Sequence, residues 1–208
     1  MKLSNSFEFM RCDTVVCAIS ENRENIFMFY WMKPLPEADI DYEKYKPFIS
    51  NNWFRQNFMY FVYLLQVILV TLSIFLGVWK FSNVFIKLIV FLMVYFVHEL
   101  LHISVVWGIG DISLTHSGIF FWLNSSAKMS KMRFLLFMSM PLLILSFVPM
   151  IIALIFYGPA YQYMRYIAWI NAIIAGADII NTFLIIIKPR NSVFYRGFYK
   201  IAKIEGAK

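Results

Sequence analysis

"VFIKLIVFLMVYFVHELLHISVVW", residues 84–107, decides how the chain is read. An α-helix needs roughly 20 apolar residues to cross a bilayer, and this window is long enough. Yet it carries His98, Glu99 and His102, and so two of the chain's three histidines. A charge at the bilayer centre costs at least about 2.5–3.5 kcal/mol, so a glutamate held there needs a partner, a cavity or an ion.

The rest of the chain fits a membrane setting. Of its 208 residues, 61% are hydrophobic, against about 45–50% for a soluble domain. Three further windows, 58–79, 134–157 and 166–187, are long and apolar enough to span. The expected fold is an all-α polytopic membrane bundle with four transmembrane helices and a small N-terminal segment. The expected division is an N-terminal segment over 1–57, a four-helix domain over 58–190 and a basic tail over 191–208.

A net charge of +7 suggests nucleic acid, but its distribution points to topology. Lys44, Lys46 and Arg55 precede the first span. Lys128, Lys131 and Arg133 precede the third. Lys188, Arg190, Arg196, Lys200, Lys203 and Lys208 follow the fourth. Four spans put these groups on one side, which the positive-inside rule makes cytoplasmic. Both termini are then expected in the cytoplasm, with the bilayer as partner and no nucleic acid.

Residues 1–57 show no apolar core of a cleavable signal peptide. "FEFMRCDTVVCAI" (7–19) and "IFMFYWM" (26–32) read as a small β-hairpin. Cys12 and Cys17 lack a second pair to complete a structural metal site and read as plain thiols. A Pro- and charge-rich linker follows. "DISLTHSGIFFW" (111–122) predicts a short hairpin, "SSAKMSKMR" a solvated entry to the third span, and Pro141 and Pro149 kinks within it.

The chemistry concentrates in HELLH. Residues four apart share a helix face, about 5–6 Å apart at Cβ, so His98 and His102 can point at one ion. Glu99 sits one step round, where a general base takes a proton from water activated by that ion. Two histidines serving only as interhelical glue would leave the glutamate between them unexplained.

Catalytic zinc wants a third protein ligand and an open position. After residue 43 the only carboxylates are Glu99, Asp111, Asp178 and Glu205. Asp178 lies in the fourth window, within about one helical turn of the depth of His98 at 1.5 Å per residue. Asp111 and His116 are alternatives that require a loop to fold back. Asn171 and Asn181 share a small polar face with Asp178, as orienting groups, substrate contacts or glue. Ala168, Ala172 and Gly176 form a small-residue stripe for close packing.

These features resemble the site-2 protease class of intramembrane zinc metalloproteases, in which an aspartate on a later helix completes an H-E-x-x-H site. More closely they resemble a bacterial family of small four-span proteins described as zincin peptidases. The matching elements are HELLH, "KMSKMR" at 128–133, Pro141 and "GADI" at 176–179, over roughly residues 58–190. The chain has GAD where site-2 proteases carry L-D-G or N-P-D-G. The resemblance implies Zn2+, a bacterial cell membrane and substrate peptides added as a strand, for which 111–122 is the candidate edge. The expected activity is zinc-dependent hydrolysis of peptide bonds in membrane-associated substrates. The alternative is a non-catalytic membrane protein that binds a metal or a partner.

Overall fold

The computed structural model describes residues 8–12, 15–19, 27–38, 40–80, 83–117 and 120–202. In chain order they form strands β1 (Glu8–Cys12), β2 (Val15–Ile19), β3 (Phe27–Trp31) and β4 (Lys46–Pro47). Helices α1 (Asn52–Gln56), α2 (Phe58–Phe75) and α3 (Val84–Val106) follow, then β5 (Ile112–Ser117), β6 (Phe120–Ser125) and β7 (Met129–Ser130). α4 (Lys131–Leu142) continues through a π-helical stretch, Leu143–Phe147, into α5 (Val148–Ile155). α6 (Pro159–Ile174), α7 (Gly176–Ile186), β8 (Ser192–Tyr195) and β9 (Phe198–Ile201) complete the order. The structure is mostly helical, with more strands than a single N-terminal hairpin.

The chain divides into two compact units. One comprises Met1–Phe48, Ile103–Ser130 and Asn191–Lys208, and the other Ile49–His102 and Lys131–Arg190. The first unit holds two sheets, ordered β1-β2-β3-β5-β6 and β4-β9-β8-β7. The stretch 7–19, expected as one strand, is two that pair with each other, and β2 then pairs with β3. The 111–122 hairpin forms as β5 and β6, with Thr115 opposite Trp122. β3 joins β5 in parallel, the one parallel pairing among the described residues. Asp111 fixes that junction: its Oδ1 accepts from the Met28 N–H at 3.2 Å, and its own N–H donates to Ser126 Oγ at 2.7 Å.

The segment after residue 190, read as a basic tail, carries a hairpin. Ser192 and Phe194 are buried while Val193 and Tyr195 are half-buried, the alternation of a strand with one covered face. Arg196 (φ 45°) and Gly197 (φ 78°) make its two-residue turn, since positive φ at both centres matches strand twist. β7 pairs with β8, so part of the expected solvated entry is strand, and α4 starts at Lys131.

The second unit is built from apolar helices whose outward side chains lack cover. Phe58–Phe75, Val84–Val106 and Lys131–Ile155 are each long and apolar enough to cross a membrane. Pro159–Ile174 and Gly176–Ile186 make a fourth span if counted as one, bent by 67°. Phe75 is 91% exposed, and Phe85, Leu154 and Ile187 are each 74% exposed. Apolar surface of that extent marks a lipid or partner-facing body, and the helices are compatible with a membrane protein.

Boundaries differ from the sequence windows for local reasons. α2 stops at Phe75 because Gly77 turns the chain at φ 69°. The window 166–187 is not one helix: it breaks at Ala175. Beside the break, the Ile173 carbonyl accepts from Gln66 Nε2 at 3.1 Å. Gly176 permits that approach, since a Cβ there would lie 2.9 Å from Gln66 Cγ. At the other end, Lys131 Nζ donates to Ile186 O at 2.7 Å and to Lys188 O at 2.5 Å, capping the end of α7 with a cation. Val78, Val94, Tyr166 and Ile170 form a buried cluster joining α2's end, α3 and α6.

Candidate metal centre

Within the second unit, α3 turns Val94, His98 and His102 inward at four-residue spacing, each 5% exposed or less. α7 brings Asp178 opposite them. The break at Ala175 puts Asp178 in the first turn of α7, where the positive end of a helix favours a carboxylate. His98 Nε2 lies 3.1 Å from His102 Nε2 and 3.1 Å from Asp178 Oδ2. His102 Nε2 lies 3.3 Å from the same oxygen.

Proton placement follows from what the other ring nitrogens touch. His102 Nδ1 lies 2.6 Å from the backbone carbonyl of Phe137. A carbonyl only accepts, so Nδ1 carries the proton. His98 Nδ1 lies 2.9 Å from Asn171 Oδ1. Asn171 is oriented by its amide, which donates to Pro141 O at 3.0 Å and to Ser146 Oγ at 2.8 Å. Ser146 in turn donates to Ala168 O at 2.9 Å. The oxygen of Asn171 therefore faces His98 and accepts its Nδ1 proton. In the neutral imidazoles both Nε2 atoms bear lone pairs, and both point at a carboxylate oxygen.

With both imidazoles neutral, these three atoms 3.1–3.3 Å apart would repel one another without a cation among them. Zinc bonds of roughly 2.0–2.1 Å in a tetrahedron separate ligand atoms by about 3.3 Å. The triangle fits a small divalent ion, and His98, His102 and Asp178 are the one such group among the described residues. Tying Nδ1 of a ligating histidine to a carbonyl or amide oxygen fixes ring direction and tautomer.

The Phe137 carbonyl is free for a covalent reason. In an α-helix it would accept from the N–H four residues on, and residue 141 is proline, which has none. The π-helical stretch follows at once and carries Ser146 into the network. Such bulges recur at functional sites.

The other candidate residues are placed as follows. Glu99 is half-buried next to His98, and its side chain makes no hydrogen bond among the described residues. Asn171 orients His98 rather than Asp178. Asn181 is half-buried on α7, and its side chain makes no hydrogen bond among the described residues. Asp111 is held in the sheet by Met28, and His116 lies in β5 opposite Phe121. The side chains of His116, Cys12 and Cys17 lie outside the described residues. Phe137, Ser146 and Gln66 were not foreseen as supports. For Phe137 the available signal was Pro141 four residues later.

Residues 91–193 match a protein family described as "putative zincin peptidase". That span contains HELLH, Phe137, Pro141, Asn171 and Asp178, so it covers the whole constellation. The match supports a zincin-type metallopeptidase and zinc as its metal. No curated protein and no solved structure matches the chain.

Proposed function

We propose that the chain is a zinc-dependent membrane peptidase of the site-2 type, hydrolysing peptide bonds in membrane-associated proteins or peptides. His98, His102 and Asp178 are the ligands and Glu99 the general base. One observation carries the reading: His98 Nε2, His102 Nε2 and Asp178 Oδ2 lie within 3.1–3.3 Å of one another, and a second carboxylate, Glu99, stands next to His98 on the same helix.

When bound, zinc polarises a carbonyl and lowers the pKa of water to about 7. The chain's residues supply the rest. Phe137 O and Asn171 hold both imidazoles in the tautomer that leaves Nε2 unprotonated. Asp178 adds the negative charge that offsets a dication in an apolar setting. Glu99 takes the proton from the attacking water and delivers it to the leaving amine. The apolar helices around the site keep bulk water away from it.

By the distribution of Lys and Arg, both termini and the 108–133 segment face the cytoplasm. External cysteine labelling should modify position 82 and spare position 130, and the reverse pattern refutes this topology.

Glu99→Gln tests the mechanism. Full-length protein is co-reconstituted with a mixture of single-span membrane proteins, and new chain termini are read by mass spectrometry. Zinc content should stay near wild type, and cleavage should fall about 10²–10⁴-fold, the usual worth of a general base. Cleavage at the wild-type rate rules out the peptidase mechanism. Loss of zinc makes Glu99 a ligand.

A further inference from the structure

At the other end of these helices, the turn after α2 and the first half of α6 form a pocket of about 100 Å3. It is lined by Gly77, Val78, Lys80, Tyr161, Gln162 and Arg165. At about 30 Å3 per water, a phosphoryl group fits in place of about three waters.

The lining is cationic without a counter-charge. Arg165 Nη2 donates to Leu76 O at 2.9 Å, a carbonyl left over at the end of α2, and its guanidinium stands 5.0 Å from the Tyr161 ring centroid. Lys80 is exposed, and the side chains of Lys80 and Gln162 make no hydrogen bond or ion pair among the described residues. The connections at this end, residues 76–83 and 156–158, and all of α6 contain no Asp or Glu. Glu99 lies fifteen residues into α3, about 22 Å along it.

The pocket's flanks are apolar and open. Phe75 beside it in sequence is 91% exposed, and Tyr157, just before α6, is 89% exposed. Cations and a donor amide near exposed aromatic side chains match a phosphate that carries acyl chains.

We propose that this pocket binds a phosphate group, supplied by the headgroup of a phospholipid in the adjoining leaflet. Lys80 and Arg165 carry the charge recognition, and Tyr161 and Gln162 complete the polar wall. The proposal is independent of the metal centre and of catalysis.

The test uses the full chain in detergent, with unfolding followed by tryptophan fluorescence. Added ligands are short-chain phosphatidylglycerol, the matching diacylglycerol without phosphate, and inorganic phosphate. The phospholipid should raise the midpoint saturably and diacylglycerol should not. Lys80→Gln should weaken the apparent affinity about tenfold, the usual worth of a charge-assisted hydrogen bond, and Lys80→Arg should restore most of it. Lys80 caps no helix, so its loss does not threaten folding as removal of Arg165 would. Stabilisation by the phospholipid where equal inorganic phosphate does nothing supports a headgroup. Stabilisation by inorganic phosphate alone supports free phosphate as the source of the same chemistry. Equal stabilisation by diacylglycerol, or an unchanged affinity in Lys80→Gln, overturns the site.

Discussion

Two kinds of helix meet at the candidate metal centre. α3 is continuous from Val84 to Val106 and carries His98, Glu99 and His102 on regular spacing. The helices facing it are interrupted: α4 by Pro141 and the π-helical stretch after it, α6 and α7 by the 67° bend at Ala175. The regular helix presents the two candidate histidine ligands. The irregular ones supply what holds them: a carbonyl released by proline, an amide on α6, and an aspartate set at a fresh helix start. In an apolar surround every polar backbone group needs a partner, so a helix break is tolerated only where something satisfies it. Here the breaks and the site satisfy each other.

The largest effect that sharpens this contrast is at Asp178. Asp178→Asn replaces an anionic ligand with a neutral one and should abolish stoichiometric zinc, read by elemental analysis of purified protein. Retained zinc would leave the ligand role with α3 alone.

Pro141→Ala tests the interrupted side directly. The new N–H at 141 competes for the Phe137 carbonyl, and His102 loses its fixed orientation. Zinc affinity should drop about 10–100-fold, as for outer-shell partners generally, while the unfolding midpoint holds or rises. Unchanged affinity would mean that the released carbonyl does not orient the ligand. Asn171→Leu should cost a similar factor in zinc affinity. It should also lower stability by about 1–3 kcal/mol, because the His98 and Ser146 groups that it pairs are buried. The measurement is metal competition alongside chemical unfolding.

The same contrast sets what could be read from residues alone. HELLH was legible because its chemistry needs one spacing on one regular helix. Asp178 was legible because few carboxylates follow residue 43, and few of those fall in an apolar window. The partner of Asn171 was not legible. In a single helix over 166–187, Asn171 and Asp178 would lie seven residues apart on one face, within reach of one another's surroundings, but the helix bends by 67° at Ala175 and Asn171 pairs with His98. Phe137 contributes a carbonyl, which no side-chain pattern encodes. The 192–201 hairpin was hidden behind its lysines and arginines, although "SVFYRGFY" has strand alternation around a turn.

Smaller effects follow at the periphery. Gly176→Ala would press a Cβ to within 2.9 Å of Gln66 Cγ. Gln66 is flexible but held by Ile173, so the change should cost about 1–3 kcal/mol in unfolding free energy. Asp41 and Lys44 form an exposed ion pair at 2.5 Å, and Lys44 holds the Asp41 carboxyl below its usual range. A depressed carboxyl contributes stability above its unfolded pKa and loses it as pH falls through its folded value. Exposed to solvent, the pair contributes little, and Asp41→Asn should leave the unfolding midpoint unchanged at neutral pH.

The central claim is that two imidazole Nε2 atoms and one carboxylate oxygen hold a zinc ion. X-ray absorption at the zinc edge, on metal-loaded full-length protein, tests it most directly. The account predicts one zinc per chain with nitrogen and oxygen ligands at about 2.0–2.1 Å, a two-histidine signature, and loss of that signature in a His98→Ala, His102→Ala double variant. Sulfur scattering at about 2.3 Å, which would point to Cys12 and Cys17, or full zinc occupancy in the double variant, would contradict it.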